Sequence, residues 1–289
     1  MSVLAATLAL TTGCSHDSSD DSGRRTHTAS RPSVPAPTQE VRDLVLPLDQ
    51  YALDSPQVAR IAAAQDRLIA ACMARQGLDW KLLPERSTGL WPHRGRYGLI
   101  EPEPAERYGY HALPDPESET KEARIAEREK ELTAEQRAAA YGKDGTSGCE
   151  QQAERELLRG VPKVDFGVVD RVSQAAYEKS QRDPAVRKAF ARWSSCMRAK
   201  GFSYADPMAA NNDPAWNADA KTPTRAEIAT ARADVTCKRR TSLVSVWWKA
   251  DIAYQKRAIK ERAGQFGKIR AARTRYLANV EAHAAHGAP

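Results

Sequence analysis

The chain reads as an all-α protein: two duplicated, disulfide-stapled helical hairpins plus a long basic C-terminal helix. Three observations predict this. A Cys-Met helix ending occurs twice, four cysteines fall into two matched pairs, and the last segment is basic with apolar residues recurring at threes, fours and sevens. The 289 residues suffice for one or two domains, and 41% hydrophobic content suffices for a core. A charged fraction of 28% excludes a wholly disordered chain, and 16 Gly with 17 Pro exclude a collagen-like one. The sequence has no run of about 18 apolar residues, so no membrane-spanning helix is expected.

Residues 1–13 read as the end of a signal peptide. Val3 to Leu10 are small and apolar and lead into Thr11-Thr12-Gly13-Cys14. The small-small-Cys ending resembles a bacterial lipobox, with Thr11 where Leu is usual. Cys14 is then the lipidated residue. Residues 14–40 read as a lipidated flexible tether, because Ser, Thr, Asp and Pro cannot bury enough surface to offset ordering entropy. The implied location is extracytoplasmic, with a lipid anchor in the cell membrane. Cys72, Cys149, Cys196 and Cys237 remain for two disulfides in an oxidising compartment.

Unit one is expected at 41–162 and unit two at 163–245. Leu68 to Leu78 aligns with Ala191 to Phe202: each has small-small-Cys-Met, a few helix formers, and a Gly five residues after the Cys (Gly77, Gly201). A Gly there suits a left-handed helix ending, and Leu78 or Phe202 suits packing on the last turn. The helix starts match too. Ser55-Pro56 and Asp183-Pro184 read as cap and Pro at N1, with Val58 and Val186 shortly after. The Val-to-Cys spacings, 14 and 10, differ by about one turn, which keeps the cysteine on nearly the same face.

A second helix in each unit opens with a capping-box pattern, Thr133 to Gln136 and Thr224 to Glu227, and is followed by the second cysteine. In unit one, Gly142, Gly145 and Gly148 break that helix before Cys149. The expected bridges are Cys72–Cys149 and Cys196–Cys237. Four cysteines allow three connectivities, so the other two stay open.

Cys196 to Tyr204 (Cys-Met-x-x-x-Gly-Phe-x-Tyr), followed by Ala231 to Cys237 (Ala-x-Ala-Asp-x-x-Cys), resembles a group of uncharacterised secreted lipoproteins of actinobacteria. In unit one, Leu78 and Trp80 replace the aromatic pair, and Cys149 lacks the Ala-Asp lead. The resemblance implies a helical, disulfide-stapled envelope protein and brings no activity or functional residue with it.

Candidate functional residues lie in two places. Unit one carries extra sequence. Part of it is a charged helix at about Glu119 to Glu131, read as a solvated face. The rest, Ser87 to His111, interleaves Trp91, Tyr97, Tyr108 and Tyr110 with Arg94, Arg96 and Arg107. This loop reads either as a cap on the helical core or as a binding surface. Nothing places a nucleophile or base beside its Glu101 or Glu103. Unit two's linker holds Asp206, Asn211, Asn212 and Asp213 in an order that is not that of an EF-hand, and it reads as turn chemistry.

The second place is the basic C-terminal helix, expected at 246–289 and packing on or extending from unit two. From Lys238 to Pro289, twelve Lys and Arg outnumber three Asp and Glu, a net of +9, which leaves −2 for the rest of a +7 chain. Val244, Trp248, Ile252, Ile259, Ala263 and Phe266 form the expected apolar stripe, with Gly264 and Gly267 as points of kinking. The opposite face carries Arg257, Lys260 and Arg270, suited to anionic lipid headgroups or envelope polymers. Nucleic acid is not expected as a partner, since the compartment is wrong.

No Gly-rich phosphate loop, GxSxG, HExxH or GxGxxG occurs, and the six His fit no zinc spacing; His283 and His286 read as solvated. No catalytic residue, metal or cofactor is therefore assigned. The expected function is a non-enzymatic envelope lipoprotein that binds a partner protein or anionic envelope polymer. The alternatives are an envelope hydrolase with its site between the units, or a structural spacer.

Overall fold

The computed structural model describes residues 34–85, 91–143, 145, 147–217 and 219–284. The signal peptide, Cys14, most of the tether and His286 lie outside them. The described residues are 66% helical and contain no strand. An N-terminal strap carries α1 (Gln39–Arg42) and a 3₁₀ turn (Asp49–Tyr51). Then follow α2 (Ser55–Ala74), α3 (Pro102–Tyr108), α4 (Pro116–Glu131), α5 (Ala134–Tyr141), α6 (Cys149–Leu157), α7 (Gly167–Gln181) and α8 (Pro184–Ala199). The chain ends with α9 (Pro207–Asn211), α10 (Arg225–Arg240), α11 (Leu243–Glu261) and α12 (Ala263–Ala284). Disulfides join Cys72 to Cys149 and Cys196 to Cys237, with Cα atoms 5.6 and 5.7 Å apart.

The two Cys-Met helices close identically. Gly77 and Gly201 adopt φ of +73° and +88°. The Leu78 amide donates to Met73 O at 3.1 Å and the Phe202 amide to Met197 O at 3.0 Å, the long closing bond of a Schellman ending. The helix starts need one correction. Asp54, not Ser55, caps α2: its carboxylate accepts the Gln57 amide, and Gln57 Oε1 accepts the Asp54 amide. A carboxylate at the cap also suits the positive end of the helix dipole.

The second arms are not copies. Cys237 lies in the last two turns of α10, whereas Cys149 opens α6 after α5 has stopped at Gly142. Thr133 and Gln136 form their capping box, but Glu227 does not return to Thr224; its carboxylate turns instead to the Tyr110 amide and His111. The common part is thus one helix and its ending, and the two staples differ in geometry.

Each disulfide sits in its own core. One core gathers Ile69, Met73, Trp80, Ala140 and Ala153 around Cys72 and Cys149. The larger one gathers Val186, Trp193, Met197, Leu243 and Trp247 with Cys237. Val41, Leu44, Tyr97 and Ile100 also belong to this second core. The strap and the inserted Arg/aromatic loop thus pack against helices of the expected unit two, within one compact unit that begins at Val34. The reason is apolar area, since Tyr97 stands 5.2 Å from Trp247, ring to ring, and both are almost fully buried.

The expected long C-terminal helix is two helices. The chain turns at Arg262 (φ −120°, ψ 30°), while Gly264 and Gly267 lie inside α12. α11 packs on α7 and α8, and α12 on α2 and α6. Phe266 and Ile269 join Val168, Val169 and Val172, and Val280 joins Ala64 and Leu157, so α12 closes two smaller clusters, one against α7 and the 3₁₀ turn and one against α2 and α6. The buried face of α11 is Leu243, Val244, Trp247, Asp251 and Gln255, so the expected stripe is off by one residue at Trp248 and Ile252. Trp247 wins the interior because Tyr97, Tyr177 and Phe190 surround it at 5.0–5.4 Å.

Candidate functional site

The Arg/aromatic loop divides between surface and interior. Trp91 is 41% exposed. Arg94 reaches Glu101 at 2.5 Å and the Pro35 carbonyl at 2.9 Å. Arg96 binds Asp251 at 2.7 Å and Ser173 at 3.1–3.2 Å, with its guanidinium over the Tyr177 ring. Tyr97 donates to Asp251 at 2.9 Å, and burial with this neighbouring carboxylate pushes its phenol well up. Tyr108 keeps a buried hydroxyl without a hydrogen-bond partner among the described residues. Tyr110 donates to Asp234 and stacks on Trp216. Within this loop Trp91 and Arg107 are exposed, whereas Arg94, Arg96, Tyr97 and Tyr110 are tied inward to buried carboxylates, which corrects that part of the expectation.

Three buried carboxylates on α10 and α11 anchor these groups. Asp251 holds Arg96 and Tyr97 and accepts from Gln255. Asp234 accepts from Trp193 at 2.9 Å, Tyr110 at 3.2 Å and Lys238 at 2.9 Å. Burial pushes the Asp234 carboxyl upward, and the Lys238 ammonium opposes it. Glu227 accepts from the Tyr110 amide at 2.7 Å and meets His111 Nδ1 at 2.8 Å. A carboxylate orienting a His is also the arrangement of a general base. Here His111 Nε2 is itself buried, so the pair acts as a clamp between the α3 ending and α10. Glu101 is likewise committed, to Arg94 and the Thr38 amide, and Glu103 to Arg107.

Sequence reasoning missed these acids. One signal was present: Asp251 sits four residues after Trp247 on the buried face of α11, and a buried charge demands a partner. The unit-two linker does behave as turn chemistry. Asp206 caps α9, and Asp213 accepts the Ala215 amide and the Tyr204 hydroxyl. His283 is not merely solvated, since it lies 3.4 Å from Glu156.

The C-terminal candidates are outward. Arg257, Lys260 and Arg270 are exposed. The three acids of this segment are neutralised: Asp251 by Arg96, Glu281 by Arg60 and Glu261 by Arg262. Lys238 and Arg239 of the same segment are paired too, with Asp234 and Glu40, so its surface keeps about the positive excess that the composition gives it. Arg257 and Arg262 also line a groove of about 420 Å³ between α7 and the α11–α12 junction. Arg171 and Lys179 stand on its α7 wall, and the floor includes Val172, Ala175 and Ala258. A second groove of about 390 Å³ lies beside the α7 start, lined by Tyr51, Leu53, Phe166, Val169 and Tyr276. Leu53 and Phe166 are exposed there.

The chain matches no known protein family, no curated protein and no solved structure.

Proposed function

We propose that this chain is an extracytoplasmic lipoprotein, anchored through Cys14, whose folded body binds an anionic polymer of the cell envelope without chemical turnover. The observation that carries this reading is the exposed cationic surface of α11 and α12. Lys249, Lys256, Lys260, Lys268 and Arg270 form no ion pair among the described residues, while the acids nearby are engaged. Such a surface attracts polyanions and anionic headgroups. The two disulfides support an oxidising compartment. A hydrolase in the α7–α11 groove needs an activated nucleophile; the lining offers one carboxylate, Glu261, beside Arg262, and its Ser, Cys and His positions are nil. A partner protein is the second reading, favoured by the apolar groove at Leu53 and Phe166.

Two measurements test the proposal. Intact mass of the protein from its native membrane, with and without reduction, reads export: a chain starting at lipid-modified Cys14, with four thiols labelling only after reduction, is expected. A full-length chain with five free thiols sinks it. Binding of the unlipidated Cys14→Ser chain to a linear polyanion reads the activity, and affinity is expected to fall steeply with salt.

A further inference from the structure

We propose that the α7–α11 groove holds a linear polyanion with repeated phosphate-type groups, lying lengthwise between two cationic walls. This rests on the polymer-binding reading above and adds its place and its ligand class. The argument begins with spacing. Arg171 and Lys179 are eight residues apart on one face of α7, about 12 Å of helix rise. Arg257 and Arg262 stand five residues apart on the facing wall, at the end of α11. A single small anion spans only a few ångströms and touches one end of this array. A chain whose charges repeat touches both ends and both walls.

The floor fits the same ligand. Between the cations the lining carries small and apolar side chains such as Val172, Ala175 and Ala258 together with Tyr254 and Gln265, and Glu261 is its one acid. Three of the four cations are Arg, whose planar fork matches the oxygens of a phosphate in pairs. The acids in reach are already engaged, Asp165 by Arg171 and Glu261 by Arg262. Arg171 and Arg262 thus share their charge with these acids, whereas Lys179 and Arg257 have no carboxylate partner among the described residues and are the two cations that meet the ligand first.

The test uses the full chain carrying Cys14→Ser and long-chain inorganic polyphosphate as the probe, titrated over a series of salt concentrations. The groove variant is Lys179→Glu with Arg257→Glu; the control is Lys188→Glu with Arg192→Glu on α8, the same charge change on exposed residues outside the groove lining and away from the cationic surface of α11 and α12. All four side chains are exposed, so helicity and melting temperature stay those of the parent, and both are checked. The groove variant is expected to lose about tenfold or more in affinity and the control about threefold or less. The salt slope of the groove variant falls by about 0.7 for each cation removed. Equal losses in both variants overturn the groove and leave the polymer reading standing. Failure of the parent to bind polyphosphate overturns both. Inorganic phosphate competing as well as polyphosphate at equal total phosphate overturns the linear ligand. Tighter binding to phosphatidylglycerol vesicles than to polyphosphate, lost in the groove variant, assigns the groove to a membrane surface and overturns the polymer.

Discussion

Arg96 and Asp251, 155 residues apart in the chain, meet at 2.7 Å between guanidinium Nε and carboxylate oxygen in the interior of the larger core. Tyr97 donates to the same carboxylate. The pair sews the inserted loop of the first half onto the penultimate helix. Arg96→Met leaves Asp251 buried and short of its cation, and a broken buried pair costs about 3–5 kcal/mol. The double variant Arg96→Met with Asp251→Leu is expected to be much less destabilised than the two single losses combined. Urea unfolding of the four proteins measures this, and simple additivity contradicts a coupled pair.

The disulfides differ in access. Cys196 is half-buried, whereas Cys72, Cys149 and Cys237 are buried. A mild thiol reductant attacks an accessible sulfur, so Cys196–Cys237 is expected to open before Cys72–Cys149. Peptide mapping after timed alkylation shows the order. Replacing each pair by serine is expected to lower stability by about 4 kcal/mol, slightly more for the 77-residue separation than for the 41-residue one.

Gly77 and Gly201 test the shared helix ending. Both have positive φ, and a Cβ added at either meets nothing within 4 Å. Alanine there therefore costs only the left-handed conformation, about 1–2 kcal/mol, and nearly the same at both positions. At Gly109 a Cβ falls 2.5–2.9 Å from the Glu227 carboxyl group, so Gly109→Ala is expected to cost clearly more. Thermal melts of the three variants rank them; a harmless Gly109→Ala contradicts the clamp between the α3 ending and α10.

Tyr204 and Asp213 form a hydrogen bond of 2.7 Å with opposite effects on their acidities. Burial, then the Asp213 carboxylate, pushes the Tyr204 phenol up to about 12 from its ordinary 10.0. The Tyr204 hydroxyl, then the Ala215 amide, holds the Asp213 carboxyl below its ordinary 3.8. A raised phenol contributes stability that is intact below pH 10 and is lost as pH rises toward 12. A lowered carboxyl contributes stability that is intact above pH 3.8 and is lost as pH falls through its folded value. Tyr204→Phe removes the alkaline part and lets Asp213 titrate nearer 3.8. Phenolate absorbance against pH follows the first effect; a Tyr204 step near pH 10 contradicts the bond.

Much of the local structure was legible from the sequence because local signals act within one or two turns. Thr133 with Gln136, Asp183 with Pro184, and the glycines five residues after Cys72 and Cys196 all act where they were expected. The cysteine pairing was legible through matched spacing. The error at Trp248 came from counting only apolar residues along α11. Asp251 and Gln255 share the buried face, and their burial depends on Arg96, the Leu48 amide and Tyr97 from distant segments. Arg171 and Lys179 went unnoticed for a related reason: on α7 alone they are two surface cations, and only the facing Arg257 and Arg262 make them a groove.

By itself, the sequence determined the all-α class and the basic character of the last segment, and it put one cysteine pairing ahead of the two others it allowed. Periodicity, caps, cysteine spacing and charge are properties of neighbouring residues. Tertiary structure alone decided where the Arg/aromatic loop goes, which acids are neutralised, and that the last segment turns at Arg262 so that its final helix packs on α2, α6 and the 3₁₀ turn. Those outcomes depend on which apolar surfaces and buried charges find one another across a hundred residues or more. Burial and ion pairing are settled by that meeting, not by the residues on either side.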